Sequence, residues 1–156
     1  MGQAISIEMG APIDMAITSQ AESGSSHTEG LISELEKFEF ERVLNDQAPN
    51  DRIIYEAIGV CALITPWNWP MNQVSLKVIA AMAAGCTMVL KPSEIAPLSS
   101  LVFADMIHQA GFPAGVFNMI NGDGVGVGSQ LTSHADVDMV SFTGSTRAGA
   151  LISKNA

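Results

Sequence analysis

The sequence predicts an α/β protein in which a parallel sheet carries helices on both faces, preceded by a helical lead-in. Three observations support this. After about residue 50, short strand signals alternate with helical ones, the strand segments are apolar on both faces, and glycine or proline marks most junctions. Helical crossovers bury a parallel sheet on both sides, so its strands lose the in-out alternation of a half-exposed sheet.

Taken in order, residues from Gly2 to about Asn45 have a helical pattern, with Leu31, Leu35 and Phe38 on one stripe and Glu29, Glu36 and Glu39 mostly turned away. The polar stretch "NDQAPND" reads as a break between this lead-in, residues 1–50, and a second unit, residues 51–156. "IIYEAIGVCALIT" offers one or two strands. A helix over 71–84 places Met71, Val74, Val78 and Met82 on one face, and Gly85 ends it as a left-handed cap. "CTMVLK" is the next buried strand. Pro97 opens a helix with Leu98, Leu101, Val102 and Met106 on its apolar face, and Gly111 followed by Pro113 stops it. "GVFNMI" is a third strand, the glycines from Gly122 to Gly128 lead into a short helix through Leu131, "VDMVSF" is a fourth buried strand, and "GSTRAGALISKN" opens a last helix.

Composition narrows the function classes. Hydrophobic residues are 47% of the 156 and charged residues 15%, which describes a packed domain and excludes a disordered one. Sixteen acidic against seven basic residues give a formal net charge of -9, which repels polyanions, so no nucleic-acid partner is expected. No run is long and apolar enough for a membrane span, and the N-terminus has no basic region leading into an apolar one, so no membrane partner is expected either. The two cysteines, Cys61 and Cys86, lie in apolar runs with no metal-ligand spacing, which suits a reducing, cytoplasmic location. Apolar surroundings raise a thiol pKa, so both read as inert core residues. His27, His108 and His134 are scattered and read as surface residues, and no metal site is expected.

Ligands of parallel α/β sheets bind beyond the carboxyl ends of the strands. Three corners fall there: "TPWNWP", "KPSE" and "FTGST". In "FTGST" a strand runs into a helix, so free amides, a positive helix end and the Ser145 hydroxyl suit a phosphate, and equally an ordinary serine N-cap. In "KPSE", Lys91 and Glu94 are one turn apart; the carboxylate suits the hydroxyls of a ribose, or the two form a solvated ion pair. In "TPWNWP", Asn68 offers an uncharged donor between two prolines and two indoles. That suits stabilisation of an oxyanion, or a helix-capping asparagine. The glycines at 122, 124, 126 and 128 never fit G-x-G-x-x-G, and the plainer reading is a turn allowing close helix-to-strand packing.

"LITPWNWP", "AGCTMVLKPSE", "PAGVFNMINGDG" and "DVDMVSFTGSTRAG", in that order, closely resemble the NAD(P)-dependent aldehyde dehydrogenase superfamily, nearest to its betaine-aldehyde-like and broad-specificity members. "AISIEMGAP" and "FEFE" extend the resemblance over nearly the whole chain. It implies an incomplete Rossmann-like NAD-binding domain over 51–156. By the same resemblance Asn68 helps stabilise the oxyanion, with Ile64, Thr65, Pro66 and Trp67 lining the nicotinamide end of the coenzyme cleft. Lys91, Ser93 and Glu94 match the adenosine-ribose site, Gly124 and Gly128 the helix over the adenine, and Phe142, Thr143, Gly144 and Ser145 the pyrophosphate turn. Glu94 favours NAD over NADP, since a 2'-phosphate would face its charge, although NADP stays usable when the carboxylate swings aside.

The resemblance further implies a full-length homo-oligomer that oxidises a small-molecule aldehyde to a carboxylic acid. The family's cysteine nucleophile and glutamate base are not matched in this sequence, so the chain by itself is expected to be inactive. The competing reading is a stand-alone nucleotide-binding module or regulatory pseudoenzyme.

Overall fold

The computed structural model describes residues 1–156. Helix α1 (Gly2–Met9) ends at Gly10, whose φ of 75° lets its amide close back on the Ser6 carbonyl. A longer helical run follows, α-helical as α2 (Ile13–Met15), π-helical over Ala16–Ala21, and α-helical again as α3 (Glu22–Leu35). No helix is long and apolar enough to cross a membrane.

The helical reading up to about Asn45 fails beyond Leu35. Strands β1 (Glu41–Asn45) and β2 (Ala48–Ile54) form an antiparallel hairpin, so "NDQAPND" is its turn and the start of its second strand, not a break. The Asn45 side-chain oxygen accepts from the amides of Gln47 and Ala48 and folds the turn. Phe38 meets Phe40 and Tyr55 edge-on, at centroid distances of 4.8 and 5.2 Å. This aromatic pairing across the hairpin base competes with the helical stripe seen in the sequence.

The second sheet has the predicted parallel architecture. β3 (Val60–Ile64), β4 (Thr87–Lys91), β5 (Phe117–Met119) and β6 (Met139–Phe142) lie in the order β5-β4-β3-β6, all parallel. β3 and β4 carry the core. Cys61, Leu63, Met88 and Leu90 point to the side covered by α4 (Pro70–Ala83) and α5 (Leu98–Gln109), where they join Met71, Val74, Val78 and Ile5 of α1. Ala62 and Ile64 point the other way, against Leu131 of α6 (Ser129–Thr132) and Ile152 of α7 (Thr146–Asn155). Both faces are thus covered, as the two-sided apolar strands require.

Two expectations about burial need correction. α5 buries Ser99, Ser100 and Ile107, with Phe103 packed beside them, whereas Leu98, Leu101 and Met106 stay exposed. Its inward face is rotated by about one residue because the two small serines let α1 approach, and Glu8 of α1 bonds to Ser99. β6, expected as a buried strand, lies at the sheet edge and is half-buried, with Met139 exposed. Gly85 does follow α4 in the left-handed conformation, at φ 77°.

Candidate coenzyme site

The chain runs from β3 to β4 to β5 in one direction across the sheet, then returns to place β6 on the far side of β3. The crossover direction therefore reverses between β3 and β6, and in open parallel sheets a crevice opens at the carboxyl ends of such strands. Register aligns the rim. Ile64, the last residue of β3, pairs with Lys91 on one side and Phe142 on the other. The chain leaving each strand stays tied to its neighbour, since the Thr65 amide donates to the Lys91 carbonyl at 3.3 Å and the Thr143 amide to the Ile64 carbonyl at 3.1 Å. The corners at 65–70, 91–94 and 142–146 thus leave adjacent strands at one edge.

A cleft of about 230 Å³ opens there on the α6/α7 side, lined by Ile64, Lys91, Gly124, Val125, Gly128, Ser129, Phe142, Leu151 and Ile152 among others. Five residues singled out in the sequence, Ile64, Lys91, Gly124, Gly128 and Phe142, meet in it. Its apolar wall on α7 was not foreseen. The only signal for it was the spacing of Ala148, Leu151 and Ile152 on one helical face.

Lys91 is 2% exposed, and its ammonium donates to the carbonyls of Pro92 at 2.9 Å and Gly122 at 2.7 Å. Glu94 lies 3.4 Å away with its side chain half-exposed, so the ion pair is buried at one end and open to solvent at the other. Lys91 thereby ties the end of β4 to the glycine turn. Within the 92–97 loop, the Ser93 hydroxyl accepts from the Ile95 amide and the Ser93 carbonyl from the Ala96 amide.

The glycine turn is π-helical over Gly124–Gly128, and the Asp123 carboxylate accepts from the amides of Gly126 and Val127. Close packing of the glycines falls elsewhere than expected. A methyl group on Gly122 would overlap Val127 and one on Gly126 would come within 2.6 Å of Asp123, whereas at Gly124 it would meet open space and at Gly128 only ordinary contacts. The turn, rather than helix-to-strand packing, is what needs the small residues.

Ser145 is the N-cap of α7, its hydroxyl accepting from the Ala148 amide at 3.2 Å. The amides of Thr146 and Arg147 precede that bond and have no intrahelical acceptor, so they remain free donors at a positive helix end. Gly144 lies under the Phe142 ring, which a methyl group there would overlap.

In the 65–70 corner, Thr65 is 3% exposed and its hydroxyl has no hydrogen-bond partner. Trp67 and Asn68 are exposed, Pro66 and Trp69 half-buried, and Pro70 begins α4. The N-cap of α4 is Trp69, so the capping role for Asn68 is not what the structure has. Asn68 lies outside the cleft, beside the rim.

The reactive groups are few. Cys61 is fully buried, and burial together with neighbouring Cys86 and Asp138 pushes its thiol up to about 11. Lys77, the one cation of α4 and passed over in the sequence, donates to the Ser141 hydroxyl at 2.8 Å, and burial lowers its pKa.

The sequence model described as "Aldehyde dehydrogenase family" matches residues 1–156. A 3-succinoylsemialdehyde-pyridine dehydrogenase from a Pseudomonas species is 52% identical over the whole of this chain, which covers 32% of that protein. Among solved structures, an aldehyde dehydrogenase from Bartonella henselae superposes with a TM-score of 0.97 at 59% identity, over 99% of this chain and 33% of its own. Aldehyde dehydrogenase C from Pseudomonas syringae, solved as a mutant with NAD+ and octanal, gives 0.94 at 50% identity, over 99% and 31%. Betaine aldehyde dehydrogenase from Staphylococcus aureus, solved with NAD+, gives 0.90 at 32% identity, over 99% and 31%. The chain spans about a third of the length of the relatives it matches.

Proposed function

Because the chain belongs to the aldehyde dehydrogenase family, we propose that it furnishes the coenzyme-binding part of an enzyme that oxidises an aldehyde to a carboxylic acid with NAD(P). The observation that carries this reading is the alignment of Lys91, Ile64 and Phe142 at one sheet rim, over a cleft at the point where the crossover direction reverses.

The residues present fit an adenine dinucleotide. Val125, Leu151 and Ile152 offer aliphatic walls to a flat base. The half-exposed Glu94 carboxylate can accept from ribose hydroxyls, with Lys91 fixing its loop. The Thr146 and Arg147 amides suit phosphate oxygens. Thr65 contributes a buried hydroxyl that still lacks a partner. When bound, the coenzyme supplies the hydride acceptor.

The Asn68 amide is assigned to donate to the carbonyl oxygen as negative charge develops there. It is exposed and makes no hydrogen bond within the chain, so no competing acceptor occupies it. Neither cysteine suits nucleophilic attack, because both are buried and Cys61 resists ionisation. The nucleophile and the base are therefore assigned outside these residues, and the chain by itself should not turn over. Exposed apolar side chains such as Ile54 and Ile58 favour self-association, and unpaired cysteines suit the cytoplasm.

Calorimetric titration with NAD and with NADP tests this reading. Saturable binding in the millimolar range with NAD preferred is expected, since Glu94 opposes a 2'-phosphate. Equal binding of the two would remove the preference assigned to Glu94, and no binding at tens of millimolar would count against the coenzyme site.

A further inference from the structure

Helix α5 starts without a cap of its own. Its N-cap residue is Pro97, which offers no side-chain acceptor for the first amides of the helix. The acceptor comes from about ninety residues earlier in the chain. Glu8 of α1 accepts from the Leu98 amide at 2.5 Å, the Ser99 amide at 3.1 Å and the Ser99 hydroxyl. A carboxylate is favoured at this helix end by the helix dipole as well as by its hydrogen bonds.

Glu8 is itself rigidly held. Ile5, one turn earlier in α1, is fully buried in the core, and α1 is closed by Gly10 and by the Ser6 hydroxyl donating to the Ala11 carbonyl. The 92–97 loop, which carries Glu94, is therefore fixed at two ends by charged groups. Lys91 holds the upstream end through Pro92 and Gly122, and Glu8 holds the downstream end through the start of α5. Between these points the loop is braced by Ser93 and by Ala96, which is 2% exposed, and Pro92 and Pro97 limit its backbone further. With both ends pinned, little freedom remains for the loop backbone from which the Glu94 side chain starts, and the 3.4 Å contact with Lys91 orients its carboxylate.

We propose that Glu8 is a positioning residue for Glu94, setting through the first turn of α5 where that carboxylate meets the ribose of an adenine nucleotide. The inference rests on the coenzyme reading given above and extends it to a residue far from the cleft. A carboxylate that binds sugar hydroxyls must be placed to within a fraction of an ångström, so loosening one end of its loop should cost ribose recognition first.

The test compares AMP with 2'-deoxy-AMP on the full chain, with dissociation constants read by NMR titration. The unmodified protein should prefer AMP several-fold, and Glu94→Ala should abolish that preference. Glu8→Gln should reduce the preference at least threefold while leaving the affinity for 2'-deoxy-AMP within twofold. A merely structural role would lower thermal stability and weaken both ligands alike. Should Glu8→Gln lose its dispersed spectrum, Ser99→Ala, which removes a single donor to the same carboxylate, must show the same selective loss. Retention of the preference in the folded Glu8 or Ser99 variant, with its loss in Glu94→Ala, overturns the positioning role alone. No preference in the unmodified protein, or none lost in Glu94→Ala, removes the ribose site and the inference with it.

Discussion

Lys91 and Glu94 are 3.4 Å apart, yet one side chain is 3% exposed and the other 52%, so a single ion pair joins the protein interior to solvent. The two partners should behave very differently when removed. Lys91→Met strands the carbonyls of Pro92 and Gly122 without a donor and should cost about 2–4 kcal/mol in urea denaturation. Glu94→Gln should cost less than about 1 kcal/mol, because its contribution is screened by solvent. Equal losses would mean that the lysine is not the anchor described.

The oxyanion role proposed for Asn68 would separate stability from chemistry. It is exposed and makes no hydrogen bond, so Asn68→Ala should shift folding stability by less than about 0.5 kcal/mol. In the complete enzyme the same change should lower kcat on the order of a hundredfold. Unchanged kcat in steady-state assays would remove the oxyanion role.

The Cys61 thiol gives a pH signature. Its value in the folded protein is raised to about 11 from 9.0, so the unfolded thiol ionises first. The group's contribution to stability is complete below pH 9 and is lost as pH rises from about 9 to about 11. Iodoacetamide should accordingly leave Cys61 unmodified in the folded protein at pH 8, as mass spectrometry would report, and labelling as fast as in urea would contradict its burial.

The parallel sheet was legible because two-sided apolar strands and helix stops are local signals. β3 falls within "IIYEAIGVCALIT", α4 matches the helix over 71–84 ended by Gly85, and β4 falls within "CTMVLK". The hairpin over 41–54 was not, since its strands are largely exposed and its stabilising contacts are aromatic pairs between Phe38, Phe40 and Tyr55. The inward face of α5 was misplaced for a related reason. Ser99 and Ser100 look like surface residues until Glu8 arrives from a distant helix, and no periodicity reports such a contact. At the site, the rim residues Ile64, Lys91 and Phe142 were visible as strand ends. The apolar wall of Leu151 and Ile152 was not, because it becomes a wall only once α7 folds back over β3.

The central claim is that these strand ends form one adenine-nucleotide site. NMR titration of the chain with millimolar ADP-ribose tests it most directly. The account predicts amide shifts concentrated at Lys91 to Glu94, Gly124 to Gly128 and Gly144 to Arg147. Shifts confined instead to the apolar groove around Phe38, Tyr55 and Ala84, with those three segments unmoved, would contradict it.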